Sequence, residues 1–155
     1  MADVDGLTNR GALRFLEMVL RNSWSSVGGE PTAFYVALIT DAAFDDTWND
    51  MGDVTEVANG NGYTTGGILV ERSNVGFDTL TEDDGNHWVI ALIKNLAWTA
   101  TAGAISTIKG AVLTDDEEVI ADREILAYWN VVDADVNAGA IYQLEDLTIK
   151  LKTVA

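Results

Sequence analysis

The sequence predicts a mainly β protein, namely a β-sandwich or jelly-roll-like domain with one N-terminal α-helix. Roughly eight short runs rich in β-branched and aromatic residues are separated by turn signals every 8–12 residues or so. Only residues 11–21 carry a long helical period, and residues 147–152 alternate between apolar and polar side chains. We therefore expect an N-terminal arm, helix and connector at 1–31 and a β-sandwich domain at 32–155.

The elements of this fold can be placed along the chain. Residues 1–8 predict a short flexible arm, and Thr8 or Asn9 is placed to cap the helix. Residues 23–31 are rich in Ser and Gly and end in the only proline, which predicts a connector. The predicted strands are 33–40, 54–58, 63–70, 74–80, 87–93, 96–100, 105–113, 124–132 and 147–151.

Two turn regions shape the predicted β domain. The run Asn-Gly-Asn-Gly at 59–62 favours a tight turn, because Asn and Gly tolerate positive φ. Tyr142 and Leu144 have the opposite parity to Leu147 and the residues that follow it. A change of parity moves side chains to the other face of a strand, so we expect a break or bulge at 145–146.

The helix has an unusually narrow polar stripe. Its strongly polar residues, Arg14, Glu17 and Arg21, are three and four apart and lie in one line. The other positions are mostly apolar, so the helix needs cover on two or more sides. We expect that cover from another copy of the chain or from a larger particle. The alternative is that the helix packs under its own sheet and leaves some apolar surface exposed. The candidate interface residues on the helix are Leu13, Phe15, Leu16 and Leu20.

Composition excludes several classes of function. The 155 residues carry 25 acidic and 9 basic side chains, a formal charge of −16, which argues against nucleic acid and anionic membranes as partners. A cation-rich partner, a saline habitat or simple solubility would each account for the charge. The absence of cysteine excludes disulfides and thiolate nucleophiles.

The sequence also bears on location. The longest apolar run is too short to span a bilayer, and the first residues lack a secretory signal. We therefore expect a product that stays in, or is assembled in, the cytoplasm where it is made.

Catalytic signatures are scarce. His87 is the only histidine, and no serine lies in a Gly-x-Ser-x-Gly elbow, so we expect no enzyme and no required cofactor. Asp133, Asp135 and Asn137 place oxygen ligands at alternate positions and are weak candidates for structural calcium. The match to a calcium-binding loop fails at its Gly and Glu positions, so solvated turn residues are the alternative.

Two of the five tryptophans lie in predicted loops. Trp24 and Trp48 are candidates for interface anchors, because buried tryptophans contribute strongly to protein–protein contacts. They could instead stack against a sugar ring, which would make the chain a carbohydrate-binding receptor module. A hydrolase that uses paired carboxylates is a third alternative.

An ordered series of short motifs resembles a known family. After the N-terminal helix come Tyr-Val-Ala-Leu-Ile-Thr at 35–40, Glu-Val at 56–57, Gly-Tyr at 62–63, Trp-Thr at 98–99, Ala-Val-Leu at 111–113, Ile-Leu-Ala-Tyr-Trp at 125–129 and Leu-Thr-Ile-Lys-Leu at 147–151. From about residue 10 onward, this series is similar to small virion proteins of tailed phages, described as head-fibre, decoration or tail-fibre proteins. The chain departs from the family pattern at Thr64–Thr65 and at Trp129.

The resemblance implies a structural role. It implies a non-enzymatic sandwich that oligomerises, often as a homotrimer, and contacts other virion proteins such as the major capsid protein or a fibre. The expected location is the virion exterior, as a capsid-decoration or head-fibre-type protein. A tail-fibre or tail-tip component is the alternative within the same family.

Overall fold

The computed structural model describes residues 6–21, 24 and 29–152. Within them the chain has one α-helix, α1 (Asn9–Arg21), and two short 3-10 turns, Met51–Asp53 and Ile120–Asp122. Its strands are β1 (Gly6–Leu7), β2 (Ala33–Ile39), β3 (Ile68–Glu71), β4 (Phe77–Asp83), β5 (Trp88–Ile93), β6 (Leu96–Thr99), β7 (Ile105–Thr114), β8 (Ile125–Val136), β9 (Ile141–Leu144) and β10 (Thr148–Lys152). The predicted fold class, mainly β with one N-terminal helix, is confirmed.

The strands form three antiparallel sheets. The largest has the order β1-β8-β7-β2-β3, the second has the order β10-β5-β4, and β6 pairs with β9. Most neighbours in the large sheet are distant in sequence, so its pairing is long-range. This arrangement of packed antiparallel sheets is consistent with a β-sandwich.

The main core lies where the sheets face one another. It combines buried side chains of the large sheet, such as Leu38 and Leu113, with Ile93, Trp98 and Ile149 from the smaller sheets. A second, smaller cluster covers the opposite face of the large sheet and includes Ala37, Ile39, Met51, Val112, Ile125 and Tyr128. Strand β2 lies between β7 and β3 and is buried on both faces, which explains its continuous apolar run.

The Asn-rich turn at 59–62 is present and buries a tyrosine. Asn61 and Gly62 both have positive φ, as the sequence predicts. Gly62 lies so close to the backbone that a Cβ would be 1.8 Å from Thr99 O. Tyr63 is buried, and its hydroxyl donates to Glu56 Oε1 at 2.6 Å and accepts from Leu38 N at 3.0 Å. Burial raises the pKa of Tyr63.

The structure corrects several predicted boundaries. Residues 6–8 are not an arm, since Gly6 and Leu7 pair with β8 and Thr8 is buried. Residues 54–58 form no strand, because their only ladder contact is an isolated bridge between Ile39 and Glu56. The expected break at 145–146 is confirmed: β9 and β10 belong to different sheets, and Asp146 has a φ of 55°.

Other strands differ from the prediction in length. Strand β4 starts and ends three residues later than predicted, and β8 continues four residues beyond its predicted end. Strand β7 matches its prediction to within one residue and runs through Gly110, although its register against β8 shifts there. No helix in the described part of the chain has the length and apolar character needed to cross a membrane.

Candidate assembly surface

Helix α1 begins at a buried threonine that ties it to the large sheet. Thr8 Oγ1 accepts a hydrogen bond from Gly11 N at 2.8 Å, and the hydroxyl donates to Ile125 O. Thr8, one of the two predicted caps, is therefore the N-cap of α1. Gly11 faces β8, and a Cβ there would lie 1.9 Å from Leu126 O. The absence of a side chain at Gly11 lets the helix backbone rest directly on β8.

A cluster of charged side chains holds the next turns of α1. Arg14 is buried, and its Nε and Nη2 donate to the two carboxylate oxygens of Glu124, each at 2.6 Å. Arg14 Nη1 donates to Glu17 Oε2 at 2.7 Å, and Arg10 Nη1 donates to Glu124 Oε1 at 3.2 Å. The hydrogen bonds with Glu124 raise the pKa of Arg14, so this guanidinium stays charged. Bidentate pairs of this kind fix orientation as well as adding energy.

This attachment decides which side of the helix faces the sheet. In the line of Arg14, Glu17 and Arg21, Arg14 is buried and Glu17 is partly buried. Only Arg21 is exposed. The sequence does not predict this orientation, because Glu124, the partner of Arg14, lies 110 residues away. A paired and hydrogen-bonded charge can be buried, whereas an unpaired one cannot.

The outer side of α1 is therefore apolar. Leu13, Leu16 and Leu20 are 48%, 57% and 75% exposed, and together they form what we call the leucine stripe. They are three and four residues apart, so they lie on one face. The helix is predicted to need cover on more than one side. Strand β8 covers one side, and the side that carries the leucine stripe is uncovered. Three neighbouring exposed leucines are typical of an interaction site.

Phe15, the other predicted interface residue on α1, lies elsewhere. It is partly buried and lines an apolar cleft of about 610 Å³ between the large sheet and the β10-β5-β4 sheet. The remaining residues that line this cleft are Phe34, Arg72, Ser73, Asn74, Phe77, Leu80, Val89, Ala91, Leu113, Ile149 and Leu151. The cleft is thus continuous with the main core but opens to solvent.

The cleft exists because the inner face of the smaller sheet is only partly covered. Leu80, Ala91 and Ile149 are in register across the three strands, and Ile149 is buried in the core. Leu80 at the outer strand is 78% exposed, and Val89 and Leu151 are also exposed. On this face of the sheet, Ile149 of β10 is therefore buried in the core, whereas Leu80 of β4 is left without cover.

The two candidate tryptophan anchors pack against their own chain. Trp24 is partly buried against the main core. Trp48 packs against the smaller cluster, edge to face with Phe44 at 5.5 Å between ring centroids. Neither ring stands clear of the surface as a flat platform, so the structure gives more support to the leucine stripe than to sugar stacking.

The calcium candidates lie mainly in a strand instead of a loop. Asp133 and Asp135 belong to β8, and Asn137 follows its end. Asp135 Oδ1 accepts a hydrogen bond from Thr107 N at 2.6 Å, so one of its oxygens already has a partner. Among the residues that the structure describes, no group of three or more His, Asp or Glu side chains is placed to hold a metal ion. His87 is exposed, just before β5, with a φ of 59°.

Sequence reasoning missed the residues that mount the helix and those that line the cleft. Glu124 had been placed at the start of a buried strand, with no sign that it would meet Arg14. Leu80 and Val89 look like ordinary strand residues, since no local pattern tells whether a second sheet will cover them. Glu124 is also one of 25 acidic residues, so its residue type alone does not single it out.

Comparison with known proteins gives no further guide to the role of these surfaces. The chain matches no protein-family model, no curated protein and no solved structure.

Proposed function

We propose that this chain is a non-enzymatic structural subunit of a tailed virus particle, of the capsid-decoration or head-fibre type, on the virion exterior. It joins copies of itself, as a homotrimer or similar ring, and contacts other virion proteins such as the major capsid protein or a fibre. Its particles are assembled in the host cytoplasm. The particle context rests on the ordered motifs described above. The assembly role rests on the leucine stripe.

One observation carries the assembly role. Helix α1 is fastened to β8 by Thr8, Gly11 and the Arg14–Glu124 pair, and this attachment turns Leu13, Leu16 and Leu20 outward. The side of α1 that faces the sheet is thus held by a buried ion pair, and not by these three leucines. Such an arrangement leaves apolar surface free for an external contact, which a monomeric protein would have little reason to keep.

The energetics favour several simultaneous contacts. Full burial of an exposed leucine contributes about 1.5–3 kcal/mol, and these three are already partly buried, so the stripe has about 3–5 kcal/mol left to gain. Bringing two molecules together costs about 4–15 kcal/mol, so a single stripe is at best close to balanced. Linked contacts in a ring or on a particle add by avidity, because only the first contact bears the full cost of association.

Labelling of particles tests the proposal. Antibodies raised against the purified chain are applied to intact tailed virions from lysates in which the chain is produced, and gold labels are located by electron microscopy. Label on the head surface is expected. Label confined to the tail would assign the chain to a tail fibre or tail tip, and particles without any label would contradict a virion role.

A variant links the label to the stripe. The double variant Leu16→Asp and Leu20→Asp should stay folded but should not be incorporated into particles when it is supplied in place of the native chain. The matched control is Val132→Asp, which alters an apolar side chain that is 87% exposed on β8, away from α1. Normal incorporation of the leucine variant would show that the stripe is not needed for assembly into particles.

A further inference from the structure

Two apolar surfaces of different shape occur on the same molecule. The leucine stripe is convex, since it runs along the outer side of a helix, and the cleft between the sheets is concave. Both leave large side chains in water, including Leu16 and Leu20 on the stripe and Leu80 and Leu151 in the cleft. Each surface therefore needs cover of the shape that the other one offers.

A copy of the chain cannot use its own stripe to fill its own cleft. Phe15 is the only described residue of α1 that lines the cleft, whereas Leu13, Leu16 and Leu20 lie on the outer side of the helix. The attachment of Arg14 to Glu124 prevents the helix from rotating to exchange these sides. The cover for the cleft must come from outside this helix.

The charge distribution favours a second copy of this chain as the source. Two copies at −16 repel each other, so contact is most favourable where acidic residues are absent or are paired with a cation. No acidic residue is among those that line the cleft, and its one charged residue, Arg72, is paired with Glu30. That pairing also argues against an anionic small ligand, because Arg72 would have to leave its partner.

Charges beside the two surfaces are complementary. Arg21 is exposed next to Leu20 at the end of α1. Glu82 lies on the cleft side of β4, because it is in register with Val89, and Val89 is in register with Leu151. An exposed cation beside the stripe can therefore meet an exposed carboxylate beside the cleft when two copies come together.

We infer that the cleft formed by Phe15, Phe34, Leu80, Val89 and Leu151 receives the leucine stripe of α1 from a second copy of the chain. The inference rests on the proposed function and specifies its self-contact as head-to-tail instead of helix-to-helix. In an open head-to-tail chain, the copy at one end keeps a free stripe and the copy at the other end keeps a free cleft. Closure into a ring pairs these two surfaces, so that every stripe and every cleft is covered.

Site-specific cross-linking tests this contact directly. The native chain contains no cysteine, so introduced thiols are unique. One batch carries Leu16→Cys and a second, distinguishable by mass, carries Leu80→Cys. After mixing, equilibration and mild oxidation, the expected product is a disulfide between the two batches, which dominates over either self-linked dimer. The matched control replaces Leu80→Cys by Val132→Cys, which should give no product with Leu16→Cys.

The double variant Leu16→Cys/Leu80→Cys gives a second readout. Oxidation should produce a ladder of covalent multimers that ends at one closed species, because each copy contributes one thiol to each of two contacts. A disulfide forms only when the two Cβ atoms approach to about 3.5–4.5 Å. Leu13→Cys and Leu151→Cys therefore provide a second pair, which reports the same contact if the first two Cβ atoms lie farther apart than this.

The outcomes separate this inference from the proposed function. A dominant Leu16→Cys self-dimer would overturn the head-to-tail contact but would keep the stripe as an interface. A native mass equal to one chain, with no cross-link from any position on the stripe, would overturn both.

A negative charge introduced into the cleft tests the same contact independently and needs no disulfide. Leu80→Asp should abolish assembly as completely as Leu16→Asp does, and Val132→Asp should leave it unchanged. Full assembly of Leu80→Asp would overturn the inference, even if Leu16→Asp dissociates the protein. Binding of a fluorescent apolar dye to the wild-type cleft in the assembled state would also overturn it, because an occupied cleft excludes the dye.

Discussion

Helix α1 and the large sheet place apolar residues in opposite ways. In the sheet, apolar side chains of β2 and β7 are buried on both faces. In α1, Arg14 is buried while Leu13, Leu16 and Leu20 are exposed. The sheet therefore buries its apolar side chains within a single chain, whereas the helix buries the leucine stripe only if another molecule covers it. This difference marks the stripe as apolar surface that the fold of a single chain leaves uncovered.

Removal of Glu124 is expected to have the largest effect on stability. Glu124→Ala leaves Arg14 buried without its main partner, which should lower the free energy of unfolding by about 3–5 kcal/mol. Urea denaturation measures this loss. The control is Glu30→Ala, which breaks the exposed pair with Arg72 and should cost about 0–1 kcal/mol. Equal losses in the two variants would mean that the buried pair does not hold the helix.

The sheet contains a buried carboxylate in the opposite situation. Asp115, at the end of β7, is buried, and it is held by backbone N–H groups of Glu117 and Glu124 instead of by a cation. Burial raises the pKa of Asp115 to about 6 from its ordinary 3.8. Its neutral form is favoured in the folded state, so its contribution to stability is full below about pH 4 and is lost as pH rises through 6.

Asp115→Asn is expected to remove this pH dependence. A shift of about two units corresponds to about 3 kcal/mol, so the wild type should lose up to that amount relative to the variant between pH 4 and 7. The measurement is the free energy of unfolding at each pH for both proteins. The difference between the two curves isolates Asp115 from the other carboxylates. A difference that does not change with pH would show that Asp115 titrates normally.

Gly11→Ala tests the close approach of α1 to β8. The new Cβ would collide with the backbone of Leu126, so the helix must move away, and we expect a loss of about 2–3 kcal/mol in the free energy of unfolding. The matched control is Gly85→Ala, whose Cβ would meet only Asp83 Oδ1 at 3.5 Å and should change stability by less than about 0.5 kcal/mol. A neutral Gly11→Ala would mean that the helix is not seated on β8 at this point.

The sequence predicts the sheet better than it predicts the helix surface. The strand at 33–40 was identified because a continuous apolar run is a local signal of burial on both faces. The existence and length of α1 were also predicted from local periodicity. Its orientation was not, because it depends on a contact between Arg14 and Glu124, which are 110 residues apart. A single sequence contains no local sign of such a pair.

The cleft was missed for a related reason. Leu80 alternates with polar residues as in a half-buried strand, and Val89 lies in an apolar run, so only the packed sheets reveal that their shared face lacks cover. The strand predicted at 54–58 is absent for a different reason. Val57 N donates to Leu38 O, but the Glu56 carboxylate accepts hydrogen bonds from the Tyr63 hydroxyl and from Gly66 N. The segment therefore holds a turn and does not extend the sheet.

The leucine stripe is proposed as an interface between molecules, and the native mass measures this most directly. Light scattering of the wild type, repeated with calcium, should give a whole multiple of the 16.7 kDa chain mass. The Leu16→Asp/Leu20→Asp variant should give 16.7 kDa with an unchanged circular dichroism spectrum, because exposed positions contribute little to folding. A wild type that remains at the mass of one chain over the full range of accessible concentrations would contradict the account.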